Sequence, residues 1–211
     1  MMNRASENIV IIDYGMGNIG SISNMIRYLG GKATVSSEID VIQAADKLIL
    51  PGVGNFDKAM NNINSLGLYD VIRDMALVRK IPFLGICLGM QIMCNSSEEG
   101  ELKGLSLIDA SVKKFPFTKG SPLKVPHMGW NKIKIEKGSR VLEHLDDNSR
   151  FYFVHSYYVQ CDKPDDILSL TNYGLSFVSS FQSENLIGVQ FHPEKSHKFG
   201  ISLFKSFLEN L

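Results

Sequence analysis

The feature that most constrains this chain is a cysteine flanked by glycines, Gly85-Ile86-Cys87-Leu88-Gly89. An apolar run, residues 81–84, precedes it, and a helix-compatible segment, residues 90–93, follows it. A strand that turns this sharply into a helix is typical of a nucleophile elbow, which lifts one side chain above the sheet. The N-terminus of such a helix favours a thiolate at Cys87. Most buried cysteines are small core residues, and the motif by itself leaves both roles open.

Composition predicts one globular domain without nucleic-acid or membrane partners. The 211 residues are 44% hydrophobic, enough for a full-sized core. Basic and acidic residues balance at 22 each, and no apolar run is long enough to span a bilayer. We expect no signal peptide, because the first apolar run ends at Asp13. The three cysteines (Cys87, Cys94 and Cys161) lack metal or redox spacing, so a reduced, cytoplasmic protein without a metal is expected.

Strand-like and helix-like segments alternate through the first half of the chain, which predicts a parallel sheet with helices on both faces. The second half is mostly strand-like and ends in a helix, which predicts an antiparallel addition to that sheet. The predicted fold class is a flavodoxin-like, doubly wound α/β sheet, mostly parallel, in a single domain of residues 1–211. The predicted strands are residues 9–13, 32–35, 47–50, 83–86, 105–114, 131–135, 151–159, 168–171, 177–181 and 187–191, and the predicted helices are residues 23–29, 55–64, 68–78 and 202–211.

Ligands of such sheets bind beyond the carboxyl ends of the strands. Three segments follow such ends, namely Asp13-Tyr14-Gly15, Pro51-Gly52-Val53-Gly54 and the turn at Cys87, so we expect them to share a crevice. The first segment also begins a literal G-x-G-x-x-G run, residues 15–20, with Glu38 further on. This pattern is a fair dinucleotide-binding fingerprint, but it leaves the cysteine elbow unexplained.

A second pattern, His192-Pro193-Glu194, directly follows an apolar strand-like run. In extended backbone the histidine and the glutamate point to the same side, and the proline between them confines them to a strand end. A carboxylate beside an imidazole sets its tautomer and stabilises its protonated form. Cys87, His192 and Glu194 are therefore the candidate nucleophile, base and orienting acid. Of the other histidines, His155 could also enter the site.

The run Pro126-His127-Met128-Gly129-Trp130-Asn131 contains the only tryptophan of the chain. Trp and Met are enriched in the cores of protein–protein interfaces, but both also serve as ordinary core residues. Composition alone leaves both uses open.

Together these runs resemble the class I, triad-type glutamine amidotransferases, and more narrowly the glutaminase subunits of imidazole glycerol phosphate synthase. The cysteine elbow with His-x-Glu is specific to the superfamily, and the Pro-Gly-Val-Gly and Pro-His-Met-Gly-Trp-Asn runs narrow it to this subunit type. The motifs occur in the family's order over nearly the whole chain. The matching segments are residues 13–18, 50–54, 85–91, 126–131, 152–157 and 188–196.

The resemblance implies hydrolysis of L-glutamine to glutamate and ammonia through a thioester, with no cofactor. It also implies a heterodimer with a (β/α)8-barrel cyclase, which uses the ammonia to make imidazole glycerol phosphate and an aminoimidazole ribotide in histidine biosynthesis. We expect weak glutaminase activity until a ligand-loaded partner binds. The predicted site residues are Cys87, His192 and Glu194 for catalysis; Leu88, Val53 and Gly54 for the oxyanion hole; Gln91, Ser156 and Tyr157 for glutamine; and Asn18, Met128, Trp130 and Asn131 for the partner.

Three other functions remain open at this point. A paralogous subunit that supplies ammonia to a surface-sugar amidation enzyme would carry the same catalytic residues. A dinucleotide-binding protein would use residues 15–20. A cysteine hydrolase of the same fold acting on peptides or other amides is disfavoured by the Val53 loop and the Trp130 segment.

Overall fold

The structure is a computed structural model that describes residues 7–118 and 120–211. Within these residues, short strands alternate with helices through the first half and strands dominate the second, as predicted. The strands are β1 (Ile9–Ile12), β2 (Ala33–Ser36), β3 (Lys47–Leu50), β4 (Phe83–Ile86), β5 (Ser96–Ser97), β6 (Ala110–Lys114), β7 (His127–Lys132), β8 (Lys134–Ile135), β9 (Arg150–His155), β10 (Tyr157–Cys161), β11 (Ile167–Asn172), β12 (Ser176–Ser183) and β13 (Leu186–Val189). The helices are α1 (Ile19–Tyr28), α2 (Ile39–Gln43), α3 (Phe56–Ser65), α4 (Leu68–Arg73), α5 (Leu88–Ile92) and α6 (His197–Asn210).

The parallel half of the main sheet has the strand order β2-β1-β3-β4-β13. This is the flavodoxin-like order 2-1-3-4-5, with β13 in the fifth place. Strands β1, β3, β4 and β13 are buried along their whole length and consist largely of Ile, Leu and Val. That composition is expected of parallel strands that are covered on both faces. The predicted fold class is confirmed.

The antiparallel half continues from β13 through β12, β10 and β6, with β11 joined to β12 and β8 joined to β11, while β7 and β9 form a separate ladder. The single strand predicted at residues 151–159 is wrong, because the chain bends at Ser156. The strand before the bend pairs with β7, and the strand after it pairs with β6. One regular strand could not serve both ladders, so the backbone changes direction between them.

Residues 105–109, predicted as the start of a strand, instead form a loop that caps α5. The N–H groups of Leu105 and Leu107 donate to the carbonyls of Ile92 and Met93, at 2.7 and 2.8 Å. The last carbonyls of a helix have no partner within the helix, so they need such donors. The N–H groups of Leu105 and Leu107 therefore bind the end of α5 and do not pair with a neighbouring strand.

Helices cover both faces of the parallel half. Helices α3, α4 and α5 contribute to the core on one face, and α1 and α6 to the core on the other. The predicted helix at residues 68–78 is α-helical to Arg73 and continues as a π-helix over Asp74–Val78. Helices α1 and α6 begin earlier than predicted, and α6 packs against α1 and the turn Arg140–Leu142. Among the described residues, no helix has the length and apolar character needed to cross a membrane.

Candidate active site

Cys87 occupies the turn between β4 and α5, with φ of 54° and ψ of −109°. A positive φ is rare for a residue with a side chain, and it marks stored backbone strain. The N–H of Cys87 donates to the carbonyl of Val189 at 2.8 Å, which ties the turn to the end of β13. The chain therefore makes the sharp strand-to-helix turn that its glycine-flanked motif predicts.

The two glycines around Cys87 leave no room for side chains. A Cβ on Gly85 would lie 2.4 Å from Sδ of Met93, and a Cβ on Gly89 would lie 1.8 Å from the carbonyl oxygen of Leu50. Both distances are far below van der Waals contact. Glycine is therefore needed at both positions so that α5 can pack against β3 and β4.

His192 and Glu194 lie on the turn that follows β13. This turn, Pro193–Lys195, is a 3-10 turn and not the extended backbone expected from the sequence. The difference arises because the carbonyl of His192 accepts hydrogen bonds from Ser196 Oγ at 2.6 Å and from the N–H of Lys195 at 3.0 Å. The turn still joins the pair, since Nδ1 of His192 lies 2.9 Å from Oε1 of Glu194 and both side chains are buried.

The electrostatic surroundings of His192 favour its protonated form. Burial alone would lower its pKa, but Cys87 and Glu194 outweigh burial and raise the pKa to about 10. Nδ1 is committed to Glu194, whereas Nε2 has no hydrogen-bond partner among the described residues. A buried imidazole with one fixed nitrogen and one open nitrogen, beside a thiol, can exchange a proton with that thiol.

Cys87 and His192 open into a cavity of about 290 Å³. Among the described residues that line it, Glu99 is the one acidic residue, and it was not among the predicted site residues. Its Oε2 accepts a hydrogen bond from the N–H of Phe56 at 2.9 Å. Partial burial raises the pKa of this carboxyl, although the hydrogen bond from Phe56 acts to lower it. Nothing in the sequence separates Glu99 from the other acidic residues of its loop.

Six of the predicted residues also line the cavity, namely Val53, Gly54, Leu88, Gln91, Ser156 and Tyr157.

One candidate oxyanion donor is already engaged. The N–H of Leu88 donates to the carbonyl of Gly52 at 3.3 Å. The loop that carries Gly52 is held by Tyr14, whose hydroxyl donates to the carbonyl of Pro51 at 2.7 Å. The Gly52 carbonyl would have to turn away before the N–H of Leu88 could bind an oxyanion.

Gln91 lies on α5, one turn after Cys87, and its amide is fully committed as a donor. Nε2 donates to the carbonyl of Tyr157 and to Oε1 of Gln190, both at 3.0 Å. The amide of Gln190 lies in turn 3.7 Å from Sγ of Cys87. Two of the substrate-contact candidates, Gln91 and Tyr157, therefore belong to one polar cluster with the nucleophile.

The four candidate partner residues fall into two pairs. Met128 and Trp130 lie on the outer side of β7, and 62% and 48% of their surfaces are exposed. The amides of Asn18 and Asn131 point inward, and Nδ2 of Asn18 donates to Oε1 of Glu194 at 3.3 Å. Asn18 therefore touches the candidate triad, a contact that its sequence position did not reveal.

One glycine of the run at residues 15–20, Gly17, serves packing. Gly17 has a φ of 133°, and a Cβ there would lie 2.8 Å from Cβ of Pro51. Glycine therefore allows the first loop to meet the Pro51 loop. This contact gives the run a role that needs no dinucleotide.

An α/β sheet that presents a cysteine on an elbow beside a buried His–Glu pair defines a cysteine-dependent hydrolase site. The family model for glutamine amidotransferase class-I matches residues 10–211. The chain belongs to this family, as its motifs predicted.

Named relatives place the chain more narrowly within the family. Imidazole glycerol phosphate synthase subunit HisH 2 from Methanococcus maripaludis is 51% identical over 201 residues, which are 95% of this chain and 98% of that protein. The subunit of the same name from Pseudomonas aeruginosa is 47% identical over the same shares. A putative GMP synthase protein from Thermoplasma acidophilum has a TM-score of 0.70 at 22% identity, covering 96% of this chain and 92% of that one, and shows the fold alone. The chain thus groups with the HisH subunits.

Proposed function

We propose that this chain hydrolyses L-glutamine on Cys87 and passes the ammonia to a cyclase of the HisF type. The observation that carries the proposal is the buried His192–Glu194 pair beside a cysteine on a strained elbow. Membership of the class-I glutamine amidotransferases supplies the substrate class.

The reaction begins with attack on the side-chain amide of glutamine. Because its pKa is raised to about 10, His192 is protonated at neutral pH and can act as the proton donor. Sγ of Cys87 bonds to the amide carbon, and the tetrahedral intermediate collapses as His192 gives its proton to the departing nitrogen. Ammonia leaves, and an acyl thioester remains on the cysteine.

The second half of the reaction regenerates the cysteine. Neutral His192 takes a proton from water, the hydroxide adds to the thioester carbon, and the C–S bond breaks. Glutamate leaves, and the thiolate and imidazolium pair is restored. Glu194 holds Nδ1 of His192 throughout, and Asn18 in turn holds Glu194.

Recognition of the amino-acid end of glutamine requires charge complementarity. We assign the α-ammonium group to Glu99, because it is the one acidic side chain among the cavity-lining residues described. Gln91 and the backbone of Ser156 and Tyr157 are the other proposed contacts.

The oxyanion hole is proposed as the switch between low and high activity. Its donors would be the N–H of Leu88 and the Val53–Gly54 peptide, and loss of one such donor typically costs about 10²–10³ in rate. The hydrogen bond from Leu88 to the Gly52 carbonyl supports a resting state with the hole unformed. A ligand-loaded partner would turn this loop and complete the hole. An isolated subunit that hydrolysed glutamine at the rate of the full complex would contradict this part of the proposal.

The proposed partner is a (β/α)8-barrel cyclase that docks on the face formed by Met128 and Trp130, with Asn18 and Asn131 near its edge. A docked acceptor shelters ammonia from protonation by water. The products would be imidazole glycerol phosphate and an aminoimidazole ribotide, in histidine biosynthesis. We further propose one glutamine amidotransferase domain in the cytoplasm, in keeping with the unpaired cysteines of the described chain.

The test replaces the nucleophile in the complex with a HisF-type cyclase. Cys87→Ala should lower glutamine-dependent product formation at least about 10³-fold, while activity with added ammonium stays at the wild-type level. Cys161→Ala is the matched control, because Cys161 does not line the cavity and burial raises its pKa to about 12. Continued glutamine use by the Cys87→Ala complex would refute the assignment.

A second candidate function is supported by the names of the relatives. Those from Methanococcus maripaludis and Pseudomonas aeruginosa are both numbered copies, HisH 2. A numbered copy is compatible with supply of ammonia to a different acceptor, such as a surface-sugar amidation enzyme. Growth without histidine of a strain that has only this chain as its HisH would favour the cyclase, and failure to grow would favour the other acceptor.

A further inference from the structure

Two histidines outside the candidate triad form a buried pair beside the cavity. Nδ1 of His127 lies 2.9 Å from Nε2 of His155, and only 3% and 6% of these residues are exposed. The ring of His127 stacks on Phe153 and on Tyr173, with centroids 4.9 and 4.1 Å away. His155 lines the cavity itself. An imidazole pair in such apolar surroundings needs a hydrogen-bond partner for each nitrogen.

The groups at the two ends of the pair fix every hydrogen within it. Nδ1 of His155 lies 2.8 Å from the carbonyl of Tyr157, which can only accept, so Nδ1 carries the hydrogen. When the His155 ring is neutral, its Nε2 carries no hydrogen and accepts a hydrogen bond. Nδ1 of His127 is then the donor to Nε2 of His155. Nε2 of His127 accepts from Nδ2 of Asn131 at 3.3 Å. The amide of Asn131 is itself oriented by a donation to the carbonyl of Asn172 at 2.9 Å.

This arrangement works only with both rings neutral. A protonated imidazole has two N–H donors and no acceptor. Protonation of either ring would therefore bring two donors face to face at one hydrogen bond of the chain from Asn131 to Tyr157. Burial acts in the same direction, since it lowers the pKa of His127 to about 4 and that of His155 to about 3. The pair therefore has one proton arrangement at neutral pH.

The chain of hydrogen bonds continues to the nucleophile. The carbonyl of Tyr157 accepts a second hydrogen bond, from Gln91, which also donates to Gln190, and the Gln190 amide lies 3.7 Å from Sγ of Cys87. Tyr157 begins β10 directly after the bend at Ser156 and pairs with Lys114 of β6. Its carbonyl accepts from the side chains of His155 and Gln91, so these side chains set the direction of its hydrogen bonds.

We infer that His127 and His155 are positioning residues of the glutaminase reaction. As a neutral, directional pair they hold the carbonyl of Tyr157 and, through it, the amide of Gln91 at the glutamine cavity. The kinetic part of this inference rests on the proposed function.

The kinetic test uses the complex with a HisF-type cyclase and two substitutions of one residue. His127→Phe fits the aromatic surroundings but removes the donor, and it should raise KM for glutamine about tenfold with kcat changed less than about threefold. His127→Asn keeps a donor near the position of Nδ1 and should restore KM to within about threefold of wild type. Activity with ammonium should not change. Equal KM values for the wild type and His127→Phe, or equal impairment of both variants, would overturn the inference.

The exposed His144 provides the matched control, since the same two substitutions there should leave KM unchanged. A second measurement on the wild type does not depend on the stability of any variant. With ¹⁵N-labelled histidine, NMR at neutral pH should show both rings in the Nδ1–H tautomer. A ring that is protonated or in the Nε2–H tautomer would overturn the inference. A wild-type chain without glutaminase activity would refute the proposed function instead, and the tautomers would still decide the hydrogen-bond chain.

Discussion

The buried histidines give the folded protein a defined sensitivity to acid at the scale of single residues. In the unfolded chain a histidine titrates near pH 6.5, whereas burial lowers the pKa of His127 to about 4 and that of His155 to about 3. Between these values the folded state binds fewer protons than the unfolded state. The stability that the neutral pair contributes is therefore complete above about pH 6.5 and is lost as the pH falls toward 4 and 3.

We expect His127→Asn to flatten this dependence. Below about pH 6.5 each such histidine contributes a slope of about 1.4 kcal/mol per pH unit to the free energy of unfolding. The variant should lose one such contribution, measured by urea denaturation at several pH values from about 4.5 to 6.5. His144→Asn, at an exposed position, should keep the wild-type slope. Identical slopes for the two variants would contradict the assignment of His127 as a neutral buried base.

At the scale of elements, the contact between α5 and β3 depends on the absence of one side chain. Gly89 is the second residue of α5, and its Cβ would lie 1.8 Å from the backbone oxygen of Leu50. The backbone of β3, a central strand, cannot move far enough to relieve this clash. The elbow is therefore specified by packing as much as by the conformation of Cys87.

We expect Gly89→Ala to destabilise the protein by about 3 kcal/mol or more, as overpacking against backbone does. Gly20 gives a matched comparison, because it is also the second residue of a helix, α1, and a Cβ there would meet nothing within 4 Å. Gly20→Ala should be neutral or stabilise by up to about 1 kcal/mol. Chemical denaturation measures both, and equal stabilities would show that α5 can move away from β3.

At the scale of the whole molecule, the candidate site and the proposed docking face belong to neighbouring parts of the fold. The face consists of Met128 and Trp130 on β7, and the ring of Trp130 stacks on His197 with centroids 5.4 Å apart. On the same strand, His127 and Asn131 point inward and belong to the hydrogen-bond chain that ends at Cys87. A partner on this face would therefore lie against the strand that supports the glutamine cavity.

We expect Trp130→Ala to weaken binding of a HisF-type cyclase by about 30-fold, the effect typical of an exposed aromatic anchor at an interface centre. Titration calorimetry with the purified cyclase measures the change in Kd. Val78→Ala is the control, because Val78 is 74% exposed and precedes the amino end of β4, at the opposite edge of the sheet. A Kd for Trp130→Ala equal to that of the control would exclude this face as the docking surface.

Local patterns in the sequence determined much of this protein. A few neighbouring residues encode each apolar strand, the elbow at Cys87 and the His192-Pro193-Glu194 motif. The parallel arrangement follows from the alternation of these strands with helices. Steric rules for glycine and proline, and the burial of Ile, Leu and Val, act over such short distances. The family followed from the order of these motifs.

Only the tertiary structure decided which polar groups meet. The N–H of Leu88 donates to the carbonyl of Gly52, and Glu99 lines the cavity from a loop that carries no motif. The His127–His155 pair forms because β7 and β9 align in one register, although the two residues are far apart in the chain. A hydrogen bond depends on distances of a few tenths of an ångström between groups brought together by the whole fold. No local pattern carries that information, so the nucleophile could be found in the sequence, but the network that positions it could not.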